Sequence, residues 1–320
     1  MKPSAFADEL KPQDAKLRLA SDVHVKRRFF DLPYLLLTLT ALFWSGNFIV
    51  ARAVHLDVPP MGLVFWRWFG ALIVVLPFAW RHIRTDWPII RRHWRIILAL
   101  AAIGVASFNT LVYLGLQTTT ALNAVLLQSA IPICIFVFAY VIFRDTVRPI
   151  QALGILLSLA GIVAIVARGE IATIHGLAFN QGDLLVFGAV VLWAIYSVLL
   201  RKRPAMHPLS FLTLTIAISV VLLAPLYAWE HLSGRVMHLD HTTVLAVGYV
   251  AIFPSVLAYM FYNRGVDLIG ANRAGTFIHL MPLFGSIMAI LFLGETFHLY
   301  HAVGIALILG GLMLAARARA

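Results

Sequence analysis

A long stretch of this chain occurs twice. Residues 121–161 reappear in modified form as residues 271–311, at a constant spacing of 150 residues. Each copy is an apolar run with a central proline, then an acidic residue and a threonine, then a second apolar run. The matched positions include Ala121 and Ala271, Pro132 and Pro282, Asp145 and Glu295, Thr146 and Thr296, and Gly161 and Gly311. This match predicts a tandem duplication, so we expect two related halves.

The composition indicates which solvent surrounds these halves. Hydrophobic residues make up 61% of the 320 residues and charged residues only 12%, whereas a soluble domain carries about 25% charged residues. Apolar runs of about 20 residues, enough to cross a bilayer, recur along the chain. We therefore predict an all-α polytopic membrane protein with ten transmembrane helices, at about 33–54, 61–80, 96–116, 121–143, 150–167, 183–200, 208–229, 242–262, 274–293 and 298–315.

The basic residues predict the orientation. With a cytoplasmic N-terminus, the segments on the inner side hold 21 of the 25 Lys and Arg residues, and the outer segments hold only Arg168 and Arg235. This bias is typical of the positive-inside rule, so we expect both termini in the cytoplasm. Residues 1–32 form a polar cytoplasmic tail, in which we expect no removable signal peptide.

The halves are residues 33–167 and 183–316, each with five predicted spans. Because five is odd, the second half must enter the membrane upside down relative to the first. Inverted repeats of this kind are typical of secondary transporters, which bind cargo near the membrane midplane between the halves.

Several segments resemble one family of such transporters. They are ALFWSGNFIVARAV, VFWRWFGALIVVLP, the region from Asn123 to Pro132, GDLLVFGAVVLWAIYSVLLRK, and PLFGSIMAILFLGETFHLYHAVGIALILGGLML. Together they are similar to the EamA family of the drug/metabolite transporter (DMT) superfamily, over roughly residues 33–316. The resemblance implies ten helices in two inverted five-helix repeats and export of small metabolites such as amino acids. The chain departs from the family at Phe143-Arg144-Asp145, where the second half keeps Leu293-Gly294-Glu295.

The candidate binding residues are polar or aromatic side chains deep in the predicted spans, where polar groups are costly unless they face a cavity or a partner. Trp44 and Trp193 occupy equivalent positions, and each is followed three residues later by a polar side chain on the same helical face. The predicted substrate-binding set is Trp44, Asn47, Asn109, Tyr113, Gln128, Trp193, Tyr196, Tyr259 and His279. Helix packing and interface anchoring are the alternative roles for each of them.

Two residues deep in the predicted spans, Arg67 and His279, could serve either energy coupling or structure. Arg67 lies within snorkelling reach of the outer surface, and a structural role and a substrate role are both open. His279 is the deep side chain whose unperturbed pKa, about 6.5, lies near physiological pH. Because every acidic residue falls in the tail, in a loop or at a helix end, we predict facilitated transport, with His279 as the alternative coupling residue.

The sequence thus predicts a multi-pass secondary exporter of the bacterial inner (plasma) membrane, working by alternating access from a central cavity. Amino acids are the expected cargo, aromatic or hydrophobic ones included. A lipid or lipid-linked sugar flippase is the alternative, and it would need a groove open towards lipid. No phosphate-binding loop and no catalytic motif is found, so we expect no enzyme activity, no cofactor and no metal. The expected partners are a small-molecule substrate and membrane lipids, without nucleic acid, and the chain is compatible with a monomer.

Overall fold

The computed structural model describes residues 29–54, 58–119, 124, 127–146, 148–166, 180–238, 240–293 and 298–317. Within these ranges the chain is helical and contains no β-strand. The α-helices are α1 (Pro33–Ala53), α2 (Pro60–Leu100), α3 (Phe108–Gly115), α4 (Ile131–Phe143), α5 (Pro149–Val166), α6 (Gln181–Leu199), α7 (Pro208–Leu232), α8 (His241–Val250), α9 (Ala258–Ile269), α10 (Ala271–Thr276), α11 (Leu280–Leu293) and α12 (Leu299–Arg317).

Two π-helical segments, π1 (Ala101–Ser107) and π2 (Ala251–Leu257), join α2 to α3 and α8 to α9. Among the described residues, five helical runs are long and apolar enough to cross a membrane, and three shorter apolar helices accompany them. The all-helical membrane class predicted from the sequence is therefore confirmed. The number of ten spans stays a prediction.

The run from Pro60 to Gly115 folds back on itself, although it is helical throughout. Its backbone leaves the helical region at His93, with φ −115° and ψ 20°. On the near side of His93, Asp86 contacts the start of α7; on the far side, the carbonyl of Ala101 accepts a hydrogen bond from Ser219, well inside α7. A straight helix would carry Ala101 about 20 Å beyond the start of α7, away from Ser219. The chain therefore reverses near His93, within the helical run, whereas the predicted spans 61–80 and 96–116 implied a connecting loop at 81–95.

Helices α2 and α7 lie antiparallel and cap each other. Glu230, near the end of α7, accepts a hydrogen bond from the backbone N–H of Gly62 in the first turn of α2, at 2.8 Å. Asp86 of α2 accepts one from the N–H of His207, directly before α7, at 2.9 Å. The first N–H groups of a helix lack partners within the helix and carry partial positive charge. A carboxylate from each helix thus stabilises the other helix's free end.

A pair of histidine rings lies beside the second of these caps. The ring of His82 stacks on that of His207, with centroids 3.6 Å apart. Desolvation and the neighbouring His82 lower the pKa of His207 from its ordinary value, with Asp86 acting in the opposite direction. The surroundings therefore favour the neutral form of the His207 ring.

The structure repeats its local features at the spacing seen in the sequence. The two π-helical segments lie 150 residues apart. A Cβ on Gly115 of α3 would meet Val186 of α6, and a Cβ on Gly265 of α9 would meet Leu37 of α1. These two contacts correspond to each other, because each residue of the first lies 149 or 150 residues from one of the second. Each half therefore packs its π-interrupted helix against the first helix of the other half. We call residues related by this spacing counterparts.

Helices α5 and α12, which are counterparts, pack with their backbones in close contact. Gly154 lies against the carbonyl of Gly311, and Gly161 lies against that of Gly304, so the two helices run antiparallel. Between these contacts, Ser158 donates a hydrogen bond to the carbonyl of its own counterpart, Ile308. Reciprocal contacts, with a residue touching its own counterpart at their centre, define a two-fold axis. We call it the pseudo-two-fold axis.

We predict that Gly161→Ala destabilises the protein. The added Cβ would lie 2.6 Å from the carbonyl oxygen of Gly304 and 2.9 Å from the backbone nitrogen of Ile308. Because backbone atoms cannot turn aside as a side chain can, α5 and α12 must separate, at a cost of about 1–3 kcal/mol. Thermal unfolding in detergent measures the loss.

The matched control is Gly248→Ala. Gly248 lies in α8, and a Cβ there would meet no atom within 4 Å, so the change should be neutral or slightly stabilising. Equal unfolding temperatures for the two variants would contradict close packing of α5 on α12.

Candidate functional site

A small cavity lies at the centre of the helices. Side chains from both halves line it: Trp44, Asn47, Arg67, Phe108, Asn109, Val112, Gln128, Ile131, Trp193, Tyr259, Ile278 and Met281. It offers about 30 Å³ to the centres of water molecules, which is room for one or two waters. A cargo of several heavy atoms would need the cavity to widen.

Six of the nine predicted substrate-binding residues line this cavity: Trp44, Asn47, Asn109, Gln128, Trp193 and Tyr259. Tyr113, Tyr196 and His279 do not line it, and lie buried nearby or behind it. The structure therefore brings most of the set together, while its role in binding stays a prediction. The sequence analysis missed the apolar residues of the lining, because apolar side chains inside a predicted span cannot be told from ordinary core. They are Phe108, Val112, Ile131, Ile278 and Met281.

The cavity lies on the pseudo-two-fold axis. Trp44 and Trp193 are counterparts and touch edge to face, with ring centroids 5.0 Å apart. Asn109 and Tyr259 are also counterparts, and the asparagine amide donates to the tyrosine oxygen at 3.0 Å. Residues can contact their own counterparts only near the axis. The two halves therefore contribute equally to the centre of the site.

Two hydrogen bonds between a tyrosine and an asparagine flank this centre. In the first Tyr–Asn pair, Tyr113 donates to Asn47 at 2.9 Å. In the second Tyr–Asn pair, Tyr196 donates to Asn263 at 2.8 Å. Asn47 is the counterpart of Tyr196, and Tyr113 is the counterpart of Asn263. The same bond thus occurs in both halves with the two residue types exchanged. Asn263 was missed, although the 150-residue spacing applied to Tyr113 leads to it.

The second Tyr–Asn pair stands between the cavity and a cleft. Asn263 also lines a cleft of about 680 Å³, together with Phe30, Arg203, Met260 and other residues at that end of the molecule. Tyr196 follows the cavity residue Trp193 by one helical turn. The second Tyr–Asn pair therefore connects a residue one turn away from the cavity wall with a residue of the cleft wall.

Arg67 joins the first Tyr–Asn pair and does not snorkel. It is only 2% exposed. Its Nε donates to Ser255 at 2.6 Å, and its Nη1 donates to Tyr113 at 2.9 Å and to Asn47 at 3.4 Å. Its guanidinium also lies 4.8 Å from the ring centroid of Trp68. The side chain is therefore held inside the bundle by residues of α1, α3 and π2.

The π-helical segments place backbone carbonyls at the site. The carbonyl of Pro254 accepts from Trp44 Nε1 at 3.1 Å, and that of Gly104 accepts from Tyr259 at 2.9 Å. Gly104 and Pro254 are counterparts. A π-helical turn breaks the i→i−4 ladder, which frees carbonyls for side chains. Both halves thus use the same irregularity to hold one aromatic residue of the cavity.

His279 is buried behind the cavity wall. Its Nε2 lies 3.1 Å from the carbonyl of Ser129, its own counterpart, and its Nδ1 has no hydrogen-bond partner among the described residues. The amide nitrogen of Gln128, a residue that lines the cavity, also has no hydrogen-bond partner among the described residues.

Comparison with known proteins now identifies the chain. The model of the EamA-like transporter family matches it twice, at residues 31–167 and 180–317. The chain belongs to the EamA-like transporter family. The double match agrees with the duplicated sequence and with contacts that recur at its spacing. This EamA-like protein is accordingly a multi-pass membrane transporter of small molecules, and its family consists of transporters.

Individual relatives of this EamA-like protein are also named as transporters. The uncharacterized transporter YyaM of Bacillus subtilis is 27% identical over 287 residues, which cover 88% of this chain and 92% of YyaM. An uncharacterized transporter of Archaeoglobus fulgidus is 28% identical over 282 residues, covering 88% and 96%. A solved crystal structure with 20% sequence identity superposes with a TM-score of 0.70, over 88% of this chain and 96% of the other. At 20% identity, the similarity to this solved structure shows a shared fold and nothing more.

We predict that Tyr196→Phe and Tyr113→Phe both destabilise this EamA-like protein, the second more than the first. Tyr196→Phe leaves a buried asparagine oxygen without its donor, at a cost of about 1–3 kcal/mol. Tyr113→Phe also removes an acceptor from the Arg67 guanidinium, and a hydrogen bond to a charged group is worth more. The measurement is thermal unfolding in detergent.

Tyr140→Phe is the control, because Tyr140 is about half exposed and its loss of a hydroxyl should change little. If Tyr113→Phe unfolded at the temperature of this control, the first Tyr–Asn pair would contribute nothing to stability.

Proposed function

We propose that this EamA-like protein is a secondary transporter of the bacterial inner membrane that exports amino acids by alternating access. Aromatic and hydrophobic amino acids are included among its cargo. The single observation that carries the proposal is the cavity on the pseudo-two-fold axis, lined from both halves and flanked by the two Tyr–Asn pairs.

The antiparallel contact of α5 with α12 supports an inverted arrangement of the halves, since counterpart helices that run in opposite directions require an axis perpendicular to them. In a membrane, such an axis lies parallel to the bilayer plane. Residues on it, such as Trp44 and Trp193, then lie near the midplane, where transporters of this construction bind cargo. The ten-span topology completes this proposal.

The two Tyr–Asn pairs are the proposed gates. They are related by the pseudo-two-fold axis, so under an inverted topology one lies on the outer side of the cavity and the other on the cytoplasmic side. Both bonds are formed, and the cavity between them has room for one or two waters. This is the arrangement expected of an occluded conformation. Opening the second pair would join the cavity to the cleft lined by Asn263.

The lining supports an amphipathic solute as cargo. Indole and phenol rings offer apolar surface, and the side-chain amides offer hydrogen bonds, a combination suited to small molecules with one apolar and one polar end. Seven helical segments of both halves surround the cavity, which favours an enclosed solute over the lipid-facing groove that a flippase would need.

Three ion pairs support a cytoplasmic location for the ends they join. Arg201 pairs with Asp145, Arg203 with Asp267, and Arg264 with Asp31. All three lie in segments that the positive-inside rule assigns to the cytoplasm. The first joins the two halves and the third joins the tail to the second half, so the Arg201–Asp145 pair must break or move if the halves separate on this side. Both termini are cytoplasmic in this proposal, membrane lipids surround the chain, and one chain suffices for transport.

The proposed energetics is facilitated movement of cargo down its gradient. Proton-coupled transporters commonly carry a carboxylate deep in the membrane. The buried carboxylates Asp183 and Glu230 lie near the ends of α6 and α7, and Asp86 lies near the reversal at His93, where it caps the start of α7. His279 bonds a backbone carbonyl, as expected of a structural imidazole.

We predict that Trp44→Ala and Trp193→Ala each reduce uptake of labelled L-phenylalanine, in counterflow with reconstituted liposomes, by about tenfold. The expected loss follows from removing an aromatic face and an edge-to-face contact from the cavity. Trp229→Ala is the control, since Trp229 is 70% exposed on the outside of α7. Counterflow of no amino acid by the wild-type protein would refute the proposed function; normal counterflow by both cavity variants would move the site elsewhere.

We predict that a proton gradient alone does not drive accumulation of phenylalanine in these liposomes. Facilitated transport stops when the internal and external concentrations are equal. Accumulation above that level would exclude it, and its loss in His279→Gln at equal protein content would assign the coupling to His279.

A further inference from the structure

We propose that Arg67 binds a carboxylate group of the cargo. The transported class is then small carboxylates, amino acids included, and compounds of similar shape that lack a carboxylate are excluded. This inference rests on the proposed function and specifies its substrate class. Arg67 carries a positive charge at the cavity wall, and none of its described neighbours carries a negative charge to pair with it.

The charge of Arg67 has no described counter-ion. A guanidinium stays protonated in proteins, and this one is almost fully buried. Its hydrogen-bond partners are the hydroxyls of Ser255 and Tyr113, the amide of Asn47 and the carbonyl of Pro254, all of them neutral. The ion pairs of the described residues involve other arginines. A buried charge is costly unless it is paired, and an anionic ligand would supply the missing charge.

One nitrogen of the Arg67 guanidinium, Nη2, is also short of hydrogen bonds. Arginine offers five N–H groups. Nε and Nη1 have partners at 2.6 to 3.4 Å, whereas the partner of Nη2, the carbonyl of Pro254, lies at 3.5 Å. Nη2 therefore has at most one long bond for its two N–H groups. A carboxylate oxygen of the cargo can accept from the remaining N–H of Nη2, which makes a charge-assisted hydrogen bond.

A second donor faces the same cavity. Gln128 is 5% exposed and lines the cavity with Arg67, and its amide nitrogen has no hydrogen-bond partner among the described residues. Buried polar groups normally have partners. The cavity therefore offers a cation and an unused donor, a combination that selects an acceptor-rich anion.

A purely structural role would be to hold the first Tyr–Asn pair, and the second half argues against it. Pro60 and Pro77 of α2 match Pro208 and Pro225 of α7 at a spacing of 148, slightly shorter than the spacing elsewhere. Within this pair of helices, Thr215 therefore occupies the position that corresponds to Arg67. Thr215 is neutral and bonds the carbonyl of Leu212 in its own helix. The hydrogen bond of the second Tyr–Asn pair forms although the position that corresponds to Arg67 holds a neutral residue. The bond between tyrosine and asparagine therefore does not require the cation, and the charge is an addition specific to the first half.

The test measures counterflow of three related compounds: L-phenylalanine, L-phenylalaninamide, which lacks the carboxylate, and 3-phenylpropionate, which lacks the amine. We expect the wild-type protein to transport the two carboxylates at least about tenfold better than the amide, as befits a charge-assisted hydrogen bond. Arg67→Gln should lose this discrimination, and Arg67→Lys should keep part of it because it keeps the charge. Arg91→Gln, a change of the same charge at an exposed position, should behave as wild type.

The wild-type series decides the question even if Arg67→Gln fails to fold. Equal transport of phenylalanine and its amide would overturn the role of Arg67 and leave amino acid export standing. Transport of 3-phenylpropionate without any amino acid would overturn amino acid export and support a carboxylate site. A folded Arg67→Gln with unchanged discrimination would show that the arginine is structural.

Discussion

Hydrocarbon offers no hydrogen-bond partners, and this constraint governs the centre of the molecule. Each polar side chain placed there must bond another helix or pay a desolvation cost of several kcal/mol. The structure meets the constraint mostly with bonds between the halves, as from Asn109 to Tyr259 and from Arg67 to Ser255. The same polar groups therefore hold the two halves together and form the wall of the cavity. A change that helps cargo binding here also changes how firmly the halves are joined.

Much of this organisation could be predicted from the sequence. The repeated stretch gave the two halves, and deep aromatic and amide side chains gave most of the cavity lining. The reversal at His93 could not be predicted as helical, because the arginine-rich segment around it reads as a loop. Asn263 was missed because it lies at the cytoplasmic boundary by hydropathy, whereas in the structure it bonds Tyr196 across helices. Side-chain partners of this kind depend on helix rotation, which apolar periodicity defines poorly when a helix is apolar on all sides.

The two halves are alike in backbone and unlike in chemistry. Both have a π-helical segment, a tyrosine bonded to an asparagine, and a glycine-faced last helix. Among the described residues, the buried arginine occurs in the first half alone, and the second has Thr215 at the corresponding position. If the halves exchange roles during transport, the first Tyr–Asn pair opens beside Arg67, which has no described counter-ion, whereas the second opens towards Arg203 and Arg264, which are paired with carboxylates. An anionic cargo would then leave its charged partner only on one side, which provides a physical basis for a preferred direction.

Contacts between counterparts also bear on how such a chain can arise. In a dimer of two identical, separate halves, a residue on the axis would face a copy of itself, so each would have to be self-complementary. Fusion into a single gene removes that requirement. Position 109 can then hold an asparagine while position 259 holds a tyrosine, and the carbonyl of Ser129 can meet a histidine ring. The ancestral interface becomes an interior in which each side evolves independently, and new specificity needs only one mutation at a time.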